Sequence, residues 1–494
     1  MKDYLLIPVM PTPNGPLHLG HIGGPFLRMD VLARQLRQAG HKVSIVSASD
    51  PWETHVLLRA HGVDSAPADV CHRYHDEIAA SLAALNIRYD RFIHVLDAPE
   101  NEVMPRLAQR VIDRLAAHTG ALRVINERFP YSIKYGVPIV GGLIEGRCPS
   151  CGSSMGGFFC ERCGAESSPD KLLEPRSRLS DDRWEWRNAD SLFLHVADVA
   201  TMRATAERIC QDGKLVDTAF RGLQLNENLI RLTHPGNWGI PCTAPGVSPG
   251  SVIFTYPALL ALSLLCAGDM GHGEPAEGTA FEPDRDTVTI ASFGVDNAMP
   301  YLVSVLGQAM SAGNIKPFDH YLTNYFGTLD GKKFSTSRNH AIWALDAQRL
   351  LQARTDTIRA YLALVNPQHG EEDFSVAEFG EFKLEWEDRL DALIDTARTA
   401  RHVDSGTLDL ARLSRLLEAR DVALDPARFE LSDAAKAVHE WIRAGASEGA
   451  TQAWALGLSV LAYPIMPELA ERIWQEDGMP GLPKFDALSQ RLPA

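Results

Sequence analysis

The chain has 494 residues, 45% of them hydrophobic and 22% charged, with a formal net charge of −15. That balance suits a globular protein of roughly two to four structural units and argues against a broadly basic nucleic-acid surface. No apolar run approaches the ~18 residues that span a bilayer and the N-terminus has no secretory pattern, so the expectation is a cytoplasmic protein without a membrane partner.

Residues 4–10 form a short apolar run that reads as a buried strand. Residues 11–21, P-T-P-N-G-P-L-H-L-G-H, read as a Pro/Gly turn, and helical spacing follows over 22–39. The start of a helix carries unpaired N–H groups and a partial positive charge, which favour phosphate. Gly20 lets a ligand approach the backbone, and His18 and His21 add imidazole donors at the same place. A turn with two capping histidines is the plainer alternative. Residues 42–48 read as a second strand, completing βαβ, and end at Ser49-Asp50-Pro51. In an open parallel sheet that end faces the ligand crevice, so Asp50 is either a helix cap or a ligand for an ammonium group.

Residues 70–85 and 102–117 have helical patterns, and 122–140 are more extended. Four of the eight cysteines follow as Cys148-x2-Cys151-x8-Cys160-x2-Cys163. Paired C-x-x-C units predict a closed tetrahedral zinc site, structural because no position stays open. Residues 190–223 are expected to return to helix, and the whole middle region reads as an insertion between two halves of a sheet.

Residues 241–251 and 267–286 are Pro/Gly-rich loops, with a strongly apolar stretch at 252–265 between them. Residues 287–293 are a strand ending in Gly294-Val295-Asp296, where a nucleotide ribose is expected. Another strand, 320–326, leads into G-T-L-D-G-K-K-F-S-T-S-R at 327–338, whose lysines and hydroxyls suit phosphate oxygens. On its own that loop is ordinary polar surface. From about residue 374 the pattern is mostly helical.

In this order the pieces resemble class I aminoacyl-tRNA synthetases, most closely those of the methionyl type. His18-Leu19-Gly20-His21 resembles the HIGH motif, Lys333-Phe334-Ser335-Thr336-Ser337 a degraded KMSKS motif, and the cysteines the zinc knuckle of the connective insertion. The resemblance implies an α/β fold: a Rossmann-like (HUP) catalytic domain split into 1–115 and 231–325. It implies a connective insertion at 116–230 with the knuckle at 148–163, a KMSKS-like loop and linker at 326–373, and a helical region at 374–494. It implies attack of an amino-acid carboxylate on ATP, with Mg²⁺ and structural Zn²⁺ as cofactors. By the same resemblance His18, His21 and Lys333 are catalytic. Asn14, Gly20, Gly294, Asp296, Lys332, Ser335 and Ser337 bind ATP, and Met10, Thr12, Asp50, Phe254, Ala261 and Tyr301 line the amino-acid site.

Departures from the family are concentrated at the amino-acid site. Thr336 replaces the second KMSKS lysine, Phe254 a tryptophan, Ala261 and Thr12 tyrosines, and Tyr301 a histidine. Asp395 and Thr399 stand where the family reads the anticodon with Asn and Arg. The expectation drawn from these is an adenylate-forming ligase whose acceptor is a small-molecule amine or hydroxylamine, with tRNA unlikely. The alternatives are a divergent aminoacyl-tRNA ligase of the methionine type and a binding protein that keeps the fold.

Overall fold

Five parallel strands organise the molecule: β1 (Asp3–Pro8), β2 (Lys42–Ala48), β3 (Arg91–Ile93), β4 (Val288–Gly294) and β5 (His320–Asn324). The computed structural model describes residues 1–179, 183–334, 340–399 and 409–491. Sheet order is β5-β4-β1-β2-β3, every neighbouring pair being parallel. The central strand shows why: Leu5, Leu6 and Ile7 form an unbroken buried apolar run, as expected of a parallel strand covered on both faces. The chain winds outward from β1 to β3, leaves the sheet, and rejoins on the other side of β1 as β4. Strand order therefore reverses between β1 and β4, and a crevice opens at their carboxyl ends.

The helix after β1 starts earlier than its apolar spacing predicts. It runs from Leu19–His21 through a wider π turn, Ile22–Phe26, into Leu27–Gln38. Pro25 has no N–H to give, which accounts for the irregular turn.

The excursion between β3 and β4 holds the main correction. Residues 190–223 do not all return to helix. Trp184–His195 is a strand, paired along Leu122–Ser132 on one side and with Leu229–Arg231 on the other. Helices Val199–Ile209 and Gly213–Leu225 come only after it. Leu192, Phe193 and Leu194 are all buried. In a central strand both faces are covered, so the sequence shows a continuous apolar run rather than alternation, and periodicity alone does not separate it from buried helix. A smaller sheet, Ile144–Arg147 with Ser154–Gly156 and Leu173–Ser177, carries the cysteine turns.

Beyond β5 the chain is mostly helical, from Thr355–Leu364 to Phe485–Arg491. A buried ionic cluster ties this region to the sheet. Asp30, on the helix Leu27–Gln38, accepts from Arg34 Nε at 2.8 Å and from Arg359 Nη2 at 2.7 Å. Arg359 also donates to the carbonyls of Ile465 and Leu85. Burial alone would raise the Asp30 carboxyl; Arg359 and Arg34 together outweigh it and hold it below its ordinary range. No described helix is long and apolar enough to cross a membrane.

Candidate active site

His18 is the N-cap of the first helical turn and His21 closes that turn. His18 Nδ1 accepts from the His21 main-chain N–H at 3.3 Å, and His21 Nδ1 accepts from the His18 N–H at 3.2 Å. This is a capping box built from imidazoles. Because each Nδ1 is an acceptor, a neutral ring carries its proton on Nε2. Burial, aided by His21, pushes His18 down to about 2, and depth in the protein lowers His21 to about 4. Both rings are therefore neutral N–H donors near pH 7. The His21 ring is deep in the fold yet open to the central cavity.

The loop after β5 folds back onto this pair. Gly327–Leu329 and Lys332–Lys333 form a tight hairpin through Asp330 and Gly331, both at positive φ. Phe334, directly after it, stacks on His18 with centroids 4.7 Å apart and planes at 9°. A Cβ on Gly20 would lie 2.8 Å from the Phe334 ring, so Gly20 makes room for that packing. The Lys333 ammonium sits 4.1 Å over the Phe326 ring and borders the same cavity. Ser335, Thr336 and Ser337 lie outside the described residues.

Asp50 is buried just beyond β2. Its main-chain N–H donates to Pro11 O at 3.0 Å, which ties it to the first loop. Oδ1 accepts from the Trp52 N–H at 3.1 Å and Oδ2 from the Thr255 hydroxyl. It does not cap the next helix, Thr54–Gly62, whose N-cap is Glu53. Among the described residues no Lys, Arg or His pairs with it. Burial and then Glu53 push its carboxyl up to about 7. Asp50 is thus a buried acid that faces the cavity.

At the end of β4 the chain turns through Val295–Asn297. A Cβ on Gly294 would lie 2.5 Å from Asp296 Oδ1, so glycine there lets the carboxylate fold back over the strand end. Asp296 opens onto the cavity at depth, and burial and then Glu161 raise its carboxyl.

These groups share one cavity of about 1390 Å³, ample for a nucleotide and a second small ligand. Met10, Thr12, Asn14, His18, Gly20, His21, Asp50, Phe254, Gly294, Asp296 and Lys333 all line it. Three expected residues do not. Ala261 is fully buried on the core side of Thr255–Cys266. Tyr301 is also fully buried, stacked on Phe293, and reaches the site only through its hydroxyl, 3.4 Å from Met10 Sδ. Lys332 points outward on the exposed hairpin. Residues that the sequence did not single out complete the wall: Phe158, Phe159, His234 and Tyr256 cluster with Phe254. The only local hint was Gly156-Gly157-Phe158-Phe159 just before Cys160.

The cysteines fit a metal. Their four sulfurs lie within 4.8 Å of one another, with Cys148–Cys163 at 3.7 Å and Cys151–Cys160 at 3.6 Å. A tetrahedral ion with Zn–S near 2.3 Å needs sulfurs about 3.8 Å apart, and a disulfide needs about 2.05 Å. Each knuckle closes alike, Gly152 N–H to Cys148 O at 2.9 Å and Gly164 N–H to Cys160 O at 2.8 Å, both glycines at positive φ. Gly164 also meets Gly222 of the helix Gly213–Leu225, where a Cβ on either would strike the other's backbone. The second knuckle thus packs against the fold while residues 156–162 and 164 line the cavity.

The family profile described as tRNA synthetases class I (M) matches residues 5–384. The methionine–tRNA ligase of Bifidobacterium adolescentis is 26% identical over 398 residues, covering 77% of this chain and 63% of that protein. The methionine–tRNA ligase of Roseiflexus castenholzii is 29% identical over 403 residues, covering 77% and 65% respectively. The chain therefore spans a little under two thirds of these relatives' lengths. A Mycobacterium tuberculosis methionyl-tRNA synthetase solved with methionyl-adenylate aligns over 100% of this chain and 97% of its own, with a TM-score of 0.71 and 18% identity. At that identity the likeness is one of fold.

Proposed function

We propose that this chain, which belongs to the class I tRNA synthetases (M), activates an amino acid with ATP to form an aminoacyl adenylate. The observation that carries the reading is the shared cavity, which holds the histidine pair, Lys333, Asp50 and the Gly294–Asp296 turn. In the reaction a carboxylate oxygen attacks the α-phosphorus, the bond to the bridging oxygen breaks, and pyrophosphate leaves. Negative charge on the phosphates is met by the Nε2–H groups of His18 and His21, the helix start and Lys333. Asp50 takes the substrate's ammonium, and Asp296 accepts from the ribose hydroxyls. Bound with ATP, Mg²⁺ would neutralise phosphate charge. Zinc on Cys148, Cys151, Cys160 and Cys163 contributes folding energy to the cavity wall.

For the second half-reaction, relatives named methionine–tRNA ligases support tRNA as the acceptor. That reading takes precedence over the small-molecule acceptor expected from the motif departures. A specific observation keeps the second reading in play. On the helix Leu390–Thr399, Asp395 and Thr399 are exposed, and the neighbouring Arg398 is engaged by Asp395 and Glu476. That face offers RNA little free positive charge. Amino-acid-dependent pyrophosphate exchange across the standard amino acids, methionine first, tests activation; no exchange with any of them overturns it. Charging of total tRNA, run beside ATP consumption with hydroxylamine, decides between the acceptors.

A further inference from the structure

We propose a second metal site, for a divalent first-row transition ion, at His72, His94 and Asp97. It lies outside the adenylate cavity and shares no residue with the cysteine knuckle. His72 is on the helix Pro67–Ala84; His94 and Asp97 follow β3 directly. One donor atom from each lies within 4.8 Å of the others. His72 Nε2 is 2.9 Å from Asp97 Oδ1, and His94 Nδ1 is 3.7 Å from Asp97 Oδ2.

Two features point to an ion. The first is the His72 tautomer. Its Nδ1 lies 2.8 Å from Ala68 O, so it donates there, and the lone pair of a neutral ring then points from Nε2 at a carboxylate oxygen. Either a proton or a metal ion resolves that contact between two acceptors. Imidazole held by a backbone carbonyl, with its other nitrogen free, is the usual second-layer arrangement of a metal-binding histidine. A proton would also serve, giving an ordinary surface ion pair worth under ~1 kcal/mol.

The second feature is one the proton leaves unexplained. The His94 side chain is only 10% exposed, and among the described residues neither ring nitrogen makes a hydrogen bond of good geometry, although the Cys71 main chain and Asp97 lie beside the ring. Buried polar atoms without partners are costly. An ion held by His94, His72 and Asp97 supplies one of the two His94 nitrogens with a partner and satisfies His72 as well. The two rings stack, centroids 4.3 Å apart and planes at 18°, so loading turns the half-exposed His72 ring toward His94. Two imidazoles and one carboxylate select zinc, nickel, cobalt or copper over magnesium or calcium. Three protein ligands leave room for water.

The position gives the ion a mechanical role. His75, one turn along the helix from His72, packs edge-on against His94 at 4.5 Å, and its Nδ1 lies 2.9 Å from the Ser49 hydroxyl. Ser49 adjoins Asp50. A bound ion therefore pins the helix Pro67–Ala84 to the strand ends that carry the ammonium-binding carboxylate.

The test uses untagged, full-length protein, dialysed against metal-free buffer without chelator. Zn²⁺ or Ni²⁺ is titrated by calorimetry, and bound metal is counted afterwards. Wild type should bind about one ion per chain more than His72→Ala or Asp97→Asn, while His61→Ala, an exposed histidine elsewhere, behaves as wild type. Because the readout is a difference, it does not depend on how full the knuckle is. Equal uptake by wild type and both variants, or no uptake by wild type beyond the knuckle, overturns the proposal.

Discussion

His18 and His21 lie ring on ring, centroids 3.6 Å apart, each Nδ1 capping the other's main chain. One arrangement therefore closes the helix start and, under the proposed function, leaves both Nε2–H groups for phosphate. Substitution separates the two roles. Asn is a good N-cap, so His18→Asn should keep most of the stability and lose the Nε2–H donor. Pyrophosphate exchange should fall about 10²–10³-fold in kcat, with little change in Tm. His18→Ala should lose a further ~1 kcal/mol of stability. Full exchange in His18→Asn would remove the histidine from the chemistry.

Asp50 predicts a pH dependence. Its folded value, about 7, lies above the ordinary 3.8. A raised acid contributes stability fully below 3.8 and loses that contribution as pH climbs through 7. An ammonium ligand favours the carboxylate, so amino-acid binding near pH 7 should release a proton. The KM for the amino acid should rise below pH 7, by up to tenfold per pH unit, and Asp50→Asn should flatten the profile at a high KM. A wild-type KM that does not change between pH 6 and 8 would reject this role.

Gly294→Ala should act on ATP rather than on the amino acid. The added methyl would lie 2.5 Å from Asp296 Oδ1 and push that carboxylate off the strand end. The KM for ATP should rise severalfold with the amino-acid KM unchanged, and Asp296→Asn should reproduce the effect without steric change. Equal shifts in both KM values would mean that the turn collapses instead.

Asp30→Asn should be strongly destabilising, by about 3–5 kcal/mol, because it leaves Arg34 and Arg359 buried without their counter-charge. Asp30 is held below 3.8, so its contribution is present above that pH and lost as pH falls through the folded value. Denaturant melts of wild type and variant at neutral pH measure the difference. A loss below ~1 kcal/mol would show that the guanidiniums are satisfied by the backbone carbonyls alone.

Where one element carried the signal, the sequence was easy to read. β2 matches its apolar run residue for residue, and the C-x-x-C spacing foretold four converging sulfurs. Signals made by distant partners stayed hidden. Residues 190–195 read as helix because the pairing of Trp184–His195 with Leu122–Ser132 exists only in the folded chain. Tyr301 and Ala261, assigned by position along the sequence, turn into the core. The Phe158–Tyr256 aromatic wall joins residues about a hundred positions apart, and beyond the Gly156-Gly157-Phe158-Phe159 run no local pattern announces it. Phe334 shows the same limit: its place in the loop was visible, but its stacking on His18 was not.

Under the proposed zinc loading, the contact between Gly164 and Gly222 makes metal supply a step in building the site. None of the four clustered cysteines lies in strands β1 to β5, yet one wall of the cavity hangs on the sulfur cluster and is seated through two glycines with no side chain to spare. A chain made under zinc starvation would carry His18 and His21 in place over a trough open on one side, where water would reach the mixed anhydride of the proposed reaction before any acceptor does. Such a chain would consume ATP without delivering product, so its waste of nucleotide would gauge how well the cell keeps it supplied with metal.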